Sequence, residues 1–367
     1  MDTICAPVRE DSLRLAGELL RSGEVVAFPT ETVYGLGAWA MSPKGIARVY
    51  EAKGRPSDNP LIVHVAPGMS LEGLVSSIPD QAKVLMDAFW PGPLTLIFPK
   101  GEQILPQVTG GLPTVAVRMP SHPAAMALIR ETQLPIVAPS ANTSGRPSPT
   151  TAQHVLEDLS GKIPLILDGG ACSVGLESTI LDLTEEIPMI LRPGAITLEM
   201  LREVLGEVRV DPAVARAVSL EAGVKPKAPG MKYRHYAPKG KLIITDYPAE
   251  EIASWIRQDL LAGDNKLGLI GSEEWIKEVR EALGQEAVLA SDLQLESQEL
   301  AEALSNISLG SRRDFGEIAR RLFDSLRRAD ELGIRRMYGE AFSREALGEA
   351  IMNRFLKAAS ERRLTGR

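Results

Sequence analysis

The chain has 367 residues, more than one hydrophobic core usually organises, so two domains are expected. It is 44% hydrophobic and 24% charged, which excludes a disordered or fibrous chain, and it contains no apolar run of transmembrane length. Its formal net charge of -7 excludes a global pull toward nucleic acid, and its two cysteines, Cys5 and Cys172, exclude a disulfide framework, a zinc site or a CxxC pair.

Asp2, Arg9, Glu10 and Asp11 break up the N-terminal stretch, so no signal peptide is expected, and a reducing cytoplasm is the expected compartment. Asp11 is placed to cap a helix running to Arg21, with Leu13, Leu15, Leu19 and Leu20 as its apolar positions and Gly23 closing it. Residues 24–29 read as a buried strand that runs into Thr30-Glu31-Thr32-Val33-Tyr34-Gly35-Leu36-Gly37. Ser42-Pro43 starts a second helix, with proline in its first turn and Ile46, Val49 and Tyr50 as anchors. This helix delivers Lys53-Gly54-Arg55-Pro56-Ser57-Asp58-Asn59-Pro60-Leu61, and the apolar run 61–65 behind it reads as a strand. A basic loop at the mouth of a strand is where open α/β sheets bind ligands, and its cations suit a polyphosphate. Taken alone, the same loop also reads as a solvated surface turn.

Residues 79–90 read as a helix and 94–98 as a strand. In Thr114-Val115-Ala116-Val117-Arg118 the period-2 alternation puts Thr114, Ala116 and Arg118 on one face. An arginine aligned with small residues suggests a sheet floor with room for a ligand; a solvated edge strand is the alternative. The strand at 134–138 enters Pro139-Ser140-Ala141-Asn142-Thr143-Ser144-Gly145-Arg146-Pro147-Ser148, whose hydroxyls offer donors to phosphate or carboxylate. Further strands are expected at 165–168, 178–183 and 189–192, the last ending on Arg192, with a helix over 198–205.

Residues 208–238 change character. Val224 to Gly230 is linker-like, but Met231-Lys232-Tyr233-Arg234-His235-Tyr236 is too aromatic and basic for a passive tether. From Lys241 strands alternate with helices: strands at 242–244, 266–270 and 287–289, and helices at 249–261, 273–283, 316–332 and 343–359. That alternation implies a parallel sheet with covering helices. No GxGxxG follows its first strand, so a dinucleotide site is unsupported.

P-loop, HExxH and GxSxG patterns are absent, and the four histidines, His64, His122, His154 and His235, lack ligand spacing, so no metal held by protein side chains is expected. Thr30, Thr32, Lys53, Arg55, Asn59, Arg118, Ser140, Asn142, Ser178 and Arg192 all fall at strand ends or adjoining loops. Such a set, rich in cations and hydroxyls without a nucleophile–base pair, suits a site that orients anions. Phosphoryl or nucleotidyl transfer is chemistry of that kind.

The runs Phe28 to Leu36, Lys53-Gly54-Arg55-Pro56 with Asn59-Pro60-Leu61, and Pro139 to Gly145 resemble the YrdC-like family. Pro229-Gly230-Met231-Lys232-Tyr233-Arg234-His235-Tyr236 resembles the linker of its two-domain form, the threonylcarbamoyl-AMP synthases. The resemblance implies an α/β fold: a twisted mixed open sheet with helices over 1–207, a linker with a lid role at 208–238, and a smaller Rossmann-like domain over 239–367. It implies a nucleotidyltransferase that makes L-threonylcarbamoyl-AMP and pyrophosphate from L-threonine, bicarbonate or CO2, and ATP, for threonylcarbamoyladenosine in tRNA.

Carried over residue by residue, the resemblance makes Lys53 and Arg55 the catalytic cations. Thr32, His64, Arg118, Ala138 through its backbone, and Ser178 become the L-threonine contacts. Arg55, Asn59, Thr114, Ser140, Ser148, Arg192, Arg234 and Tyr236 become the ATP contacts. Mg²⁺ is expected to arrive with ATP. Downstream threonylcarbamoyl-transfer proteins, a weak contact with tRNA, and no membrane are the implied partners. An RNA-binding module and a nucleotide-binding regulator without turnover are the rival readings. Carbamoyl transfer as in hydrogenase maturation is a third, against which the two distant cysteines speak.

Overall fold

The computed structural model describes residues 2–215, 226–229, 231, 236–289 and 303–365, with 285–289 by backbone alone. The chain divides into two compact units, Met1–His235 and Tyr236–Arg367.

The strands of the first unit are β1 Ile4–Pro7, β2 Val26–Phe28, β3 Gly35–Trp39, β4 Ile62–His64, β5 Leu94–Pro99, β6 Thr114–Arg118, β7 Ile136–Val137, β8 Leu165–Asp168, β9 Thr179–Asp182, β10 Met189–Arg192 and β11 Arg209–Val210. They form one sheet in the order β1-β8-β2-β3-β7-β4-β6-β5-β9-β10-β11. Parallel pairs such as β4 with β6 and β5 with β9 alternate with antiparallel pairs such as β5 with β6 and β9 with β10, so the sheet is mixed.

Local chemistry sets the helix that feeds the basic loop. Ser42 accepts from the Gly45 N–H at 3.1 Å, Pro43 opens the helix Pro43–Lys53, and Gly54 ends it at φ +60°, a left-handed position that favours glycine. The helix Glu10–Arg21 is capped differently from expectation. Ser12 Oγ accepts from the Arg9 N–H at 2.9 Å and donates to the Pro7 carbonyl, while Asp11 lies in the first turn, where its charge suits the helix dipole.

The two faces of the sheet have different fates. Val63, Leu96, Phe98, Val117 and Leu181 point to one face and pack with Ile46, Val49, Leu85, Val155 and Leu201 from helices into the main core. Each such buried side chain contributes about 1.5–3 kcal/mol. On the opposite face, Val26, Phe28, Ile136, Leu165 and Leu167 are covered by Ala16 and Leu20 of the helix Glu10–Arg21 and by Ala125, Leu128 and Ile129 of the helix Pro123–Thr132. The remainder of that face, over β4, β6, β5, β9 and β10, carries no such helix pair among the described residues. Ile62, Ala116, Ile97, Ile180 and Leu191 there are packed by Ala228 and Met231 of the linker. Lys227 pins this piece by ion pairs to Asp182 at 3.2 Å and Glu185 at 2.9 Å.

The second unit has strands β12 Lys241–Thr245, β13 Leu267–Gly271, β14 Leu304–Ser308, β15 Arg336–Glu340 and β16 Glu361–Arg363, in the order β14-β13-β15-β12-β16 with every pair parallel. Ile243, Leu269 and Tyr338 meet Ile252, Ile256, Trp275 and Val279 of two helices in its core. The strand expected at 287–289 is instead the end of the helix Glu273–Leu289, and the next strand among the described residues is β14. A three-residue apolar run reads equally as either element. No helix among the described residues is long and apolar enough to cross a membrane.

Candidate active site

Strand register assembles the site. Ile136, His64, Arg118, Thr95, Ile180 and Arg192 are successive neighbours across β7, β4, β6, β5, β9 and β10. Residues opposite one another in a sheet share a face, so this row puts two arginines, a histidine and a threonine on the face against which Ala228 and Met231 pack. Ile62, Ala116 and Ile97 form the neighbouring row, which explains the small residue expected beside Arg118.

Arg118 is 3% exposed and engages three directions at once. Its Nη1 donates to Thr32 Oγ1 at 2.9 Å, its Nε to the Gly92 carbonyl at 3.2 Å, and its Nη2 lies 2.6 Å from Glu31 Oε1. Thr32 Oγ1 in turn shares a hydrogen bond with Thr30 Oγ1 at 2.8 Å. Burial works to raise the Glu31 carboxyl, but Arg118 and nearby backbone N–H groups outweigh it and hold the group below the usual carboxylate range. His64 sits beside this pair, its Nδ1 3.2 Å from the Ile62 carbonyl and its ring edge-on to Phe28. Burial, and then the Arg118 charge, push its pKa down to about 3, so the imidazole is neutral. Burial likewise pushes the Cys172 thiol up to about 12, so it stays protonated.

At the far end of the row Arg192 donates through Nε to the Ser178 carbonyl at 2.9 Å and through Nη2 to Ser178 Oγ at 3.0 Å. Ser178 Oγ also shares a hydrogen bond with Thr95 Oγ1 at 2.7 Å. The Ser178 hydroxyl thus joins Arg192 to the strand that carries Thr95, next to Arg118.

The basic loop and the serine-rich loop are tied together by Lys53. Its side chain is buried, and Nζ donates to the carbonyls of Ser140 at 2.5 Å and Asn142 at 2.6 Å. Ser140 Oγ donates to Asn142 Oδ1 at 2.6 Å, and Asn142 Nδ2 to the carbonyls of Thr143 and Arg146. Arg55 folds back on its own loop, with Nη2 donating to the Pro60 carbonyl at 3.0 Å. Asn59 is 2% exposed, and its Oδ1 has no hydrogen-bond partner among the described residues. Ser148 Oγ donates to Glu177 Oε1 at 2.6 Å, both side chains buried.

The structure therefore brings Thr32 and Arg118 into one hydrogen-bonded group and Ser178 and Arg192 into another, related through the strand register that also places His64 beside Arg118, and flanked by the start of β6 at Thr114 and by Ala138, whose N–H donates to the Ile62 carbonyl at 2.9 Å. Lys53, Ser140 and Asn142 form a third group, and Arg55 and Asn59 lie on the loop beside Lys53. Tyr236 belongs to the second unit and packs on Phe323 with ring centroids 4.9 Å apart. Arg234 lies outside the described residues. Glu31, Thr95 and Glu177 were not singled out from sequence. Glu31 had a legible signal, since a carboxylate between two threonines at the end of a buried strand needs a cation. Among the described residues no three His, Cys, Asp or Glu side chains cluster to hold a metal ion.

Residues 18–194 match the Sua5–YciO–YrdC family model, described as telomere recombination. Residues 196–360 match the model described as threonylcarbamoyl-AMP synthase, C-terminal domain. The chain is 44% identical to a threonylcarbamoyl-AMP synthase of Pyrococcus abyssi, over 97% of this chain and 96% of that one. It is 46% identical to one of Bacillus subtilis, over 95% and 92%. The crystal structure of P. abyssi Sua5 with L-threonine matches with a TM-score of 0.85 at 43% identity, covering 99% of this chain and 100% of that one.

Proposed function

The chain belongs to the threonylcarbamoyl-AMP synthase family, and we propose that it is a nucleotidyltransferase joining L-threonine, bicarbonate or CO2, and ATP into L-threonylcarbamoyl-AMP with release of pyrophosphate. The observation that carries the reading is the row His64–Arg118–Thr95–Arg192 on one sheet face, beside the loop held by Lys53. One end of the row suits an amino acid and the other a phosphate chain.

The threonine amine, once neutral, captures carbon dioxide, and the carbamate so formed is itself an oxygen nucleophile. It attacks the α-phosphorus of ATP and expels pyrophosphate. The enzyme has to align the two and offset charge, so no side-chain nucleophile is required. Arg118 clamps the threonine carboxylate. Thr32, Ser178, neutral His64 and the backbone at Ala138 enclose the rest of the amino acid. A neutral imidazole adds a hydrogen-bonding edge without a second cation competing for the carboxylate.

Arg192 and Arg55 face the phosphates, with Thr114, Ser140, Ser148 and Asn59 reading the nucleotide and Arg234 and Tyr236 completing it from the linker. Lys53 acts by holding the Ser140–Asn142 loop in place, since its ammonium is already ringed by loop carbonyls. The donor set is cationic and hydroxylic, which fits Mg²⁺ carried in on the nucleotide phosphates rather than held by a protein cage. The linker over 208–238 closes the site, with the first domain ending near 207 and the second beginning near 239. The product passes to threonylcarbamoyl-transfer proteins acting on tRNA, in the cytoplasm, and tRNA touches this chain weakly at most.

Incubation with ATP, bicarbonate and labelled threonine tests the proposal. The label is expected in an adenylate; label recovered only as free threonine would overturn it.

A further inference from the structure

Ser148 and Ser140 have each given away their only hydroxyl proton inside the fold. Ser148 Oγ donates to Glu177 Oε1 at 2.6 Å, the two residues being 1% and 6% exposed. Ser140 Oγ donates to Asn142 Oδ1, also at 2.6 Å. The Asn142 amide is fixed in that sense. Its Nδ2 donates to the carbonyls of Thr143 at 2.9 Å and Arg146 at 3.0 Å, and its Oδ1 faces the Lys53 ammonium at 3.4 Å. Turned round, it would set oxygen against two carbonyls and nitrogen against a cation.

A serine hydroxyl has one proton and two lone pairs. With the proton held by a carboxylate or an amide oxygen, only lone pairs are left to offer a ligand. Phosphate oxygens are acceptors as well, so such a hydroxyl does not suit them. A nucleotide carries hydrogen donors in two places, its ribose hydroxyls and its adenine amine. We propose that Glu177 and Asn142 are positioning residues that hold Ser148 and Ser140 as acceptors, so that the two serines read donor groups of the nucleoside and leave the phosphates to the arginines. This rests on the reading of both serines as ATP contacts. It reverses the sense in which the hydroxyls of this loop appear from sequence, as donors to phosphate. The competing view makes Glu177 and Asn142 braces for the loop and nothing more.

Nucleotide analogues separate these views. 2′-Deoxy-ATP and 3′-deoxy-ATP each lack one ribose hydroxyl, and purine riboside triphosphate lacks the amine. Their binding is compared with that of ATP by calorimetry on the full chain, for wild type, Ser148→Ala, Ser140→Ala, Glu177→Leu and Glu177→Gln. Wild type is expected to prefer ATP over at least one analogue by about 3–10-fold, the scale of one neutral hydrogen bond, and the analogue that loses identifies the group read. Each serine variant should abolish the preference for the group its hydroxyl reads. Glu177→Leu releases the Ser148 proton and should lose the same preference as Ser148→Ala, whereas Glu177→Gln, whose carbonyl oxygen still accepts, should keep it. A brace would weaken all four nucleotides alike. Equal weakening of all four in the serine variants, or a wild type without preference, would therefore overturn the inference, as would a preference that survives in Glu177→Leu. ATP affinity unchanged in both serine variants would instead overturn their reading as nucleotide contacts. Should Glu177→Leu not fold, the serine variants still decide.

Discussion

His64 and Arg118 stand side by side in register on the parallel strands β4 and β6, and the guanidinium helps keep the buried imidazole neutral. Its folded pKa of about 3 lies below the ordinary 6.5, so between those values the unfolded chain binds the extra proton. Stability is therefore lost as pH falls from about 6.5 toward 3, by up to about 1.4 kcal/mol per pH unit. Arg118 and Glu31 are the charges facing the ring, and the Glu31 carboxyl is itself held below the usual carboxylate range, chiefly by Arg118. His64→Gln, which cannot titrate, is expected to flatten this dependence. Denaturant midpoints at pH 7 and pH 5 for both proteins check it, and equal slopes would show that His64 is not buried neutral.

Lys53 and Arg55 are two residues apart, yet they are expected to fail differently. Lys53→Met strips the donor from the Ser140 and Asn142 carbonyls, and each buried acceptor left unpaired costs about 1–3 kcal/mol. Melting temperature should drop by roughly 2–4 °C per kcal/mol lost, and ATP affinity should fall with it. Arg55→Ala sits on a partly exposed loop and should weaken ATP binding with little change in melting temperature. Differential scanning fluorimetry and ATP titration on the two variants distinguish the roles.

If the hydroxyls of Thr32 and Ser178 line the threonine site, amino-acid choice reports on them. A site that hydrogen-bonds the threonine hydroxyl leaves polar groups unpaired when valine binds, so valine should be rejected strongly. Serine loses only a methyl and should be poorer by on the order of 10–200-fold. Relative kcat/KM for the three substrates settles this; valine used as well as serine would mean that the hydroxyl is not read.

Ala228 and Met231 pack on the same sheet face that carries Arg118, and Lys227 is pinned to Asp182 and Glu185. If this segment closes the site, ATP and threonine together should slow tryptic cleavage after Lys227. Met231→Asp, which puts a charge against Ile62, Ile97 and Ile180, should abolish the protection. A cutting rate that ignores the ligands would leave the segment a connector only.

Much of the site was legible because it follows from periodicity. Alternation along Thr114–Arg118 placed Arg118 on the face opposite Val115 and Val117, and the register with His64 and Thr95 bears this out. The start of the helix at Ser42-Pro43 was equally readable from its cap. Glu31 carries a local sign that it needs a cation, but its partner is 87 positions away, and nothing local says which cation that is. The carbonyls around Lys53 were equally invisible in the sequence, since they come from residues 140 and 142. In the second domain β14 was missed because Leu304–Ser308 is short and largely polar, while the apolar triplet at 287–289 was a helix end.

Turnover is expected to wait until all three substrates are bound. Continuous measurement of pyrophosphate release, with threonine and bicarbonate added singly and together, tests it most directly. Release should be at background with ATP alone or with either co-substrate alone, and should rise only when both are present. Equal release from ATP alone would make the protein a simple nucleotide hydrolase and contradict the account.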